Sequence, residues 1–470
     1  MQAPVPPVQR AYERLKQAAV GAPSFDERDD RLERLERLMV ERREDFVRSI
    51  AEDFGRRARV ETLSTDVLLT VDAIRYARRH LREWMTRRPV RPHPFFLPSS
   101  AYVEHRPRGV VGIIAPRNYP VNLAFGPLAA AFAAGNRVLV KPSELTPKTS
   151  ALMQDAVAER FSADEVAVVT GGADVARAVT ELPLDALLFT GSTAVGKLVA
   201  QAAAKNLTPV TLELGGKSPA LVHASFDLTT AAERIVLGKL FNGGQTCIAP
   251  DYALVPRGSE GRFVAELKKA VARGYPRLDG MSSLITERGH ARLLAIVEDA
   301  RAKGARVETL GDFSPGGRVM SPVALLDVTD DMLAMQEELF GPVLPIETYD
   351  SLDGAIARIN ARPHPLAFYY FDDDARRADD VLSKVTSGGA CVNDTLVHFA
   401  QETLPFGGVG ASGLGAYHGR AGFETFSHAR SVLVASRLSP ARRLLAPPLG
   451  RFIEKALEVL VRGASALQRR

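Results

Sequence analysis

The chain has 470 residues, 46% of them hydrophobic and 24% charged, and its 60 Lys and Arg against 55 Asp and Glu leave a net charge of +5. That length predicts roughly two to four domains, and that balance excludes a wholly disordered or collagen-like chain. A charge of +5 over 470 residues announces no nucleic-acid groove, and two cysteines exclude a disulfide framework or a four-cysteine zinc site.

Met1 to Arg10 is proline-rich and lacks an apolar run of signal-peptide length, so the cytoplasm is the expected compartment. No stretch reaches the roughly eighteen to twenty uninterrupted apolar residues that a spanning helix needs. Ser24 and Glu27 stand at capping-box spacing, and Leu32, Leu35, Leu38, Met39, Phe46 and Ile50 then recur at helical period. This predicts one amphipathic helix, broken at Gly55. A second helical pattern through Leu63, Val67, Ile74, Ala77 and Leu81 ends at the proline-rich stretch Pro89 to Pro98. The dense Arg and Glu of both are read as solvated faces, with ion pairs each contributing under ~1 kcal/mol.

From Tyr102 the texture changes to strands, first alternating through Arg106 and then β-branched from Val110 to Ile114. Strand-like runs at Arg137 to Val140, Glu165 to Thr170 and Ala186 to Phe189 alternate with Ala-rich helices at Leu128 to Ala134, Thr149 to Arg160 and Val195 to Lys205. Such alternation predicts βαβ units and a parallel sheet of dinucleotide-binding type. Pro219 to Val222, Ala253 to Val255 and helices around Phe263 to Arg273 and His290 to Lys303 predict a second α/β domain.

Three segments carry chemistry. Phe241-Asn242-Gly243-Gly244-Gln245-Thr246-Cys247 sets a cysteine after two glycines at a loop-to-helix junction, where backbone N–H groups would lower the thiol pKa and donate to an oxyanion. A lone cysteine is more often a small buried hydrophobe, but the other two segments argue against that here. In Leu212-Glu213-Leu214-Gly215-Gly216-Lys217 a carboxylate leads into a glycine pair that permits close backbone approach. In Ala115-Pro116-Arg117-Asn118-Tyr119-Pro120 an amide lies after a strand and between stiffening prolines, as an oxyanion donor should be held.

Together these segments resemble the aldehyde dehydrogenase superfamily, from the first helix to Arg430. Leu207 to Pro219, and Tyr417-His418-Gly419 with Phe423 to His428, look most like its class-three and coniferyl-aldehyde-dehydrogenase-like branch. The resemblance implies an enzyme in which Cys247 attacks the aldehyde carbonyl, Asn118 and the Cys247 N–H hold the oxyanion, and Glu213 activates the water that hydrolyses the thioester. Members that pass the acyl group to coenzyme A generally lack that glutamate, so hydrolysis to the acid is implied. Lys141 and Glu144 would bind the adenine ribose; the Glu144 carboxylate favours NAD over NADP, with NADP kept open. Gly191, Ser192, Val195 and Gly196 would offer N–H groups to a phosphate and an apolar wall to the adenine. Glu338 and Phe340 would position the nicotinamide ribose and ring. Tyr119, Ile248 and Phe406 would face the substrate, suiting medium-chain aliphatic or aromatic aldehydes. Arg117 stands where most relatives carry Trp, and two readings stand for it: a cation drawing acidic or phenolic aldehydes, or a surface guanidinium.

The implied fold class is α/β, two Rossmann-like parallel-sheet domains with a small β bridging and oligomerisation element. Residues 1–88 and 109–212 would form the NAD(P)-binding domain, 213–392 the catalytic domain, and 89–108 with 393–435 a bridge whose strand edges pair in a homodimer. Residues 436–470 form a tail in which Phe452, Ile453, Leu457, Val459 and Leu460 read as an amphipathic helix with basic flanks. Packing across a subunit boundary or over the substrate mouth is one reading of it; peripheral membrane contact, suiting a fatty-aldehyde enzyme, is the other.

Three further readings follow. Gly191 to Lys197 matches a nucleotide triphosphatase loop up to its last position, where Leu198 supplies no hydroxyl for magnesium, which excludes that class. A cofactor-independent thiol hydrolase or a non-catalytic role would leave the cofactor motifs or the intact Cys247, Glu213 and Asn118 without purpose. Cys391 is expected in the core, His398 and His418 as packing or solvated residues, and no metal site is expected.

Overall fold

The computed structural model describes residues 7–276, 280–311, 317–439, 447, 450, 453–455, 457–459 and 461. They fall into two compact units, one of residues 1–82 and 107–427, the other of 83–106 and 428–470.

The larger unit contains two sheets. The first runs in the order Gly413–Leu414, Val210–Glu213, Ala186–Thr190, Val110–Ile114, Arg137–Lys141, Val166–Val168. All its pairings are parallel except that of Gly413–Leu414 with Val210–Glu213. Its central strand, Val110–Ile114, is buried at every residue, as a continuous β-branched run between two layers of helices must be. From that strand the chain winds outward through Arg137–Lys141 to Val166–Val168, then returns to the other side through Ala186–Thr190 and Val210–Glu213. The order therefore reverses at Val110–Ile114, and in a sheet of this kind ligands bind beyond the strand ends at such a switch point. Ile114 lies beside Lys141 on one neighbour and Phe189 on the other, so the loops that begin at Ala115, Pro142 and Gly191 open side by side.

The second sheet runs Arg306–Thr309, Val323–Leu326, Val343–Tyr349, Tyr252–Pro256, Pro219–Val222, Ala367–Phe371, Gly389–Val392. It is parallel apart from its first strand. Its strands bury Leu221, Leu254, Phe368 and Tyr370 against helices such as Leu352–Asn360 and Ala375–Lys384. The α/β class with two mostly parallel sheets is thus the observed architecture.

In the smaller unit Arg88–Val90, Ser100–Pro107 and Ser427–Val434 form a three-stranded sheet. Glu104, nearly buried in it, accepts from Arg87 at 3.0 Å and from Arg430, which hold its carboxyl below the usual range. Of the expected bridge segment 393–435, only the portion from residue 428 belongs to this unit. The rest is claimed by the larger one, because Gly413–Leu414 pairs with Leu212 and Glu213.

Several local expectations are corrected. The helix read from Ser24 is two helices, Phe25–Glu41 and Arg43–Phe54, interrupted at Arg42. The Ser24–Glu27 capping box is present. A preceding helix, Pro7–Ala18, was hidden by the prolines around it; Pro7 opens it, where a missing N–H does no harm, and Val8, Tyr12 and Leu15 bury one face. Cys391 is half-buried on the edge strand Gly389–Val392, not in the core, because that strand has one neighbour and its burial alternates. Among the described residues of the tail, 453–455 and 457–459 are helical, with Leu457 and Val459 exposed. Phe452, Leu460 and the basic end after Val461 lie outside the described residues.

The cysteine turn also differs. Asn242, Gly243 and Gly244 have φ of 54°, 62° and 79°, three successive left-handed residues that no right-handed helix can contain. The chain then turns through Cys247 into the strand Tyr252–Pro256, so no helix starts at the cysteine. At Gly244 a Cβ would lie 2.4 Å from the Gly341 carbonyl carbon, so glycine is required on two counts. Gly244→Ala should lower stability by about 2 kcal/mol or more, read as a shifted urea midpoint; an unchanged midpoint would contradict this account of the turn.

Candidate active site

The oxyanion segment after Val110–Ile114 is tied to the cysteine turn by two bonds: Asn242 Nδ2 donates to the Asn118 carbonyl at 3.0 Å, and the Tyr119 hydroxyl bonds Thr246 Oγ1 at 2.5 Å. Its other fastenings come from the N-terminal helices. Arg57 Nη1 donates to the Asn118 carbonyl at 2.8 Å and Arg57 Nη2 to Asp66 Oδ2 at 3.0 Å, while Asp66 Oδ1 accepts the N–H groups of Val121 and Asn122. Glu61 accepts the Asn242 N–H at 3.0 Å and the Ser282 hydroxyl. Asn118 is buried, and its carbonyl is held on two sides. Tyr119, expected to line the substrate tunnel, is buried under the Arg57 guanidinium, and its hydroxyl bonds Thr246.

Cys247 is partly exposed. The expectation of a lowered thiol pKa is overturned: burial, then the nearby Glu338 and Glu213 carboxyls, push it up to about 12. The N–H groups of Cys247 and Ile248 act in the lowering direction and are outweighed. Ile248 is buried, and its carbonyl accepts the Tyr369 hydroxyl at 2.5 Å.

Glu213 ends its strand fully inside, 3% exposed, with neither carboxylate oxygen hydrogen-bonded among the described residues. Burial without a partner raises its pKa well above the ordinary carboxyl value. An orphaned buried carboxyl is costly to keep, and it is the kind of group that a substrate or water is meant to satisfy.

Beside it lies a cleft of about 370 Å³ lined by Thr193, Lys197, Gly215, Gly216, Lys217 and Glu338 among others. A larger cavity, about 530 Å³, opens at Arg257 and Asp350, at the opposite end of strand Tyr252–Pro256 from Cys247, and its charges pair with each other. The smaller cleft adjoins the start of the helix Thr193–Ala204 and the Glu338 carboxyl. Lys141, buried, donates to Glu144 Oε2 at 2.7 Å and leaves that carboxylate half exposed; burial would raise the Glu144 pKa, but the Lys141 bond holds it low. Ser192 caps the twelve-residue helix Thr193–Ala204, its hydroxyl accepting the Val195 N–H at 3.4 Å, and the Val195 side chain is 45% exposed. Gly196 lets that helix pack on Leu214, and a Cβ on Gly191 would meet the Phe189 ring. The Glu338 carboxyl rests on Gly215 in a space that any Cβ there would fill.

Glu338 is itself raised to about 8 by burial and the Asp251 charge, against the Gly216 N–H and the Lys217 and Arg292 cations. Phe340 follows at φ 52°, a left-handed conformation that a bulky residue keeps only when its surroundings insist. Here Asp251 accepts the Leu339 N–H at 2.9 Å, Lys217 donates to the Glu337 and Ala334 carbonyls, and Arg292 donates to those of Glu338 and Leu339. Arg117, read as facing substrate or bulk solvent, stacks its guanidinium on the Phe340 ring at 5.3 Å.

Phe406, expected on the substrate side, is buried in an aromatic cluster. Its neighbours are Phe399, Tyr417 and His418, with centroids 4.8, 5.9 and 5.4 Å away, and His398 at 6.3 Å. His398 and His418 are packing residues there, both held neutral by burial. Among the described residues no group of three or more His, Cys, Asp or Glu could hold a metal ion. Arg57, Glu61, Asp66, Asp251 and Arg292 escaped the reading of the sequence, since single charges on amphipathic helices and loops carry no local signature.

Comparison with known proteins agrees with this geometry. The model of the aldehyde dehydrogenase family matches residues 7–432. A probable coniferyl aldehyde dehydrogenase of Pseudomonas aeruginosa is 47% identical over 451 residues, 95% of this chain and 94% of the relative. A coniferyl aldehyde dehydrogenase of Pseudomonas sp. strain HR199 is 45% identical over 463 residues, 96% and 95% of the two chains. Among solved structures, a substrate-bound Staphylococcus aureus AldH superposes with a TM-score of 0.90 at 36% identity, covering 97% of this chain and all of the other.

The Glu213 environment has a measurable consequence. Its folded pKa lies above the unfolded value near 4.5, so between these values the folded chain holds a proton the unfolded chain has lost, and stability falls as pH rises through that window. Glu213→Gln removes this loss. The variant should melt above the wild type at pH 8 and converge with it near pH 4 to 5; parallel melting curves across that range would contradict the assignment.

Proposed function

The chain belongs to the aldehyde dehydrogenase family, oxidoreductases that convert an aldehyde to the carboxylic acid with NAD or NADP, and from that premise we propose that it oxidises aromatic, coniferyl-aldehyde-like substrates through Cys247, Asn118 and Glu213. The observation that carries the site assignment is the buried, unpartnered Glu213 carboxyl within electrostatic reach of the Cys247 thiol.

Cys247 adds to the carbonyl as its thiolate. Its high resting pKa means that the thiolate is scarce until substrate and cofactor fill the site. The adduct oxygen is received by the Asn118 carboxamide and the Cys247 N–H, donors that need no reorganisation because Arg57, Asn242 and Asp66 have already fixed the loop. Lys141, Glu144, Glu338, Phe340 and the N–H groups at the start of helix Thr193–Ala204 would hold a dinucleotide, which would supply the hydride acceptor. Glu213 then takes the proton of the water that attacks the thioester; a carboxyl raised by burial is the stronger base for it. Because the ionised Glu144 carboxylate would repel a 2′-phosphate, NAD is the preferred cofactor. The free edges of the three-stranded sheet support a homodimer. The alternative of a fatty-aldehyde enzyme associated peripherally with a membrane finds no support; separately, among the described residues no helix is long and apolar enough to cross a membrane.

Two experiments test the reading. Cys247→Ala should show no turnover, Glu213→Gln a single burst of reduced cofactor followed by a stall, and Asn118→Ala a burst slower by ~10²–10³; steady turnover by Cys247→Ala or Glu213→Gln overturns the roles. In a panel read by absorbance of reduced cofactor, kcat/KM for coniferyl aldehyde is expected to be at least about tenfold above that for acetaldehyde, and equal values refute the substrate class.

A further inference from the structure

Arg117 is the one cation of the oxyanion segment, and it is unusually free. Among the described residues its guanidinium makes no hydrogen bond and no ion pair; its fixed contact is the Phe340 ring, 5.3 Å from the guanidinium carbon. It leaves the end of Val110–Ile114, the strand where the sheet order reverses, so it stands between the loops that carry Glu144 and Gly191. The charged groups that act on it are Glu338, Arg292 and Glu144. Each is otherwise engaged. Glu144 is paired with Lys141, and Arg292 with Glu337 and the carbonyls of Glu338 and Leu339. The Glu338 carboxyl, buried and held above its ordinary range, rests against Gly215.

We propose that Arg117, pinned on Phe340, makes the cofactor cleft discriminate by ring charge, so that the reduced dinucleotide binds more tightly than the oxidised one. This rests on the reading of Glu338 and Phe340 as the nicotinamide end of the cleft. The nicotinamide ring of the oxidised form carries one positive charge, and acceptance of a hydride, one proton with an electron pair, leaves it neutral. A guanidinium fixed beside Phe340 would repel the first form and be indifferent to the second, while its attraction to the phosphates would be the same for both. The difference between the two affinities therefore isolates the ring effect. A neutral aromatic at this position would not discriminate in this way. The consequence is an enzyme that retains its reduced product, so that the ratio of reduced to oxidised cofactor throttles turnover.

The test is binding to the resting enzyme without aldehyde: NADH by fluorescence titration, and NAD by displacement of NADH. The wild type should bind NADH more tightly than NAD. Arg117→Gln and Arg117→Trp should shrink that ratio of dissociation constants by about tenfold, and Arg117→Lys, which keeps the charge, should preserve most of it. A ratio in Arg117→Gln equal to the wild-type ratio overturns the proposal, and so does equal weakening of both forms, the signature of phosphate contact alone. Folding of each variant is checked by its melting midpoint; the guanidinium anchors no backbone group, so the midpoint should hold. Since no aldehyde is present, failure to oxidise coniferyl aldehyde would refute the substrate reading without touching this ratio.

Discussion

An ion pair with no access to water holds the reacting groups in register. Arg57 and Asp66 are both 0% exposed, and between them they engage the Asn118 carbonyl and the Val121 and Asn122 N–H groups. Removing two charges from water is expensive, and apolar residues of the same volume would often stabilise the fold as well or better. The pair is therefore hard to explain as a device for stability alone. What it supplies is direction. A loop of irregular backbone that must point an amide into a site has no ladder to fix it, and buried charged hydrogen bonds fix it instead. Glu61, one helical turn away, does the same for the Asn242 N–H, so one short N-terminal stretch clamps both the oxyanion segment and the cysteine turn.

Within that clamp the structure gathers buried acidic groups. Glu213, Glu338 and the Cys247 thiol all have raised pKa values, through burial first; the Asp251 charge adds to it at Glu338, and the Glu338 and Glu213 carboxyls add to it at Cys247. Such a set holds protons at rest and releases them when something positive or hydrogen-bonding arrives, which suits a thiol that must stay quiet until substrate and cofactor are in place. The turn that carries Glu338 and Phe340 is strained at Phe340 and secured by three separate charges, Asp251, Lys217 and Arg292. The strain and its fastenings place the Phe340 ring where Arg117 can stack on it.

Much of this was legible in the residues. The strand runs at Val110, Arg137 and Ala186 read correctly because buried parallel strands are continuous apolar runs, and the Ser24 capping box because its two partners are three residues apart. Cys247, Glu213 and Asn118 stood out as polar residues set among glycines and prolines. What misled was the local grammar around them. Two glycines before a cysteine suggested a helix start, but three left-handed residues in a row make a turn into a strand. The prolines at the N-terminus masked the helix Pro7–Ala18, and an apolar run around Cys391 suggested core where the sheet has its edge.

The sequence by itself determined the class of fold and the order of its βαβ units, because periodicity and backbone-limited residue types act over a few positions, and its resemblance to a known family pointed to Cys247, Glu213 and Asn118 as the candidates for nucleophile, base and oxyanion donor. Only the tertiary structure decided the protonation of those groups and the posts of Arg57, Asp66, Asp251 and Arg117. A pKa depends on burial and on charges brought from distant segments, as Glu338 is brought to Cys247, and a buried ion pair forms between residues that carry no mark of each other in the chain. The direction of the thiol shift, raised where the loop alone suggested lowered, is set by that same assembly: nearby N–H groups are local, but the burial and the carboxyls that outweigh them are not.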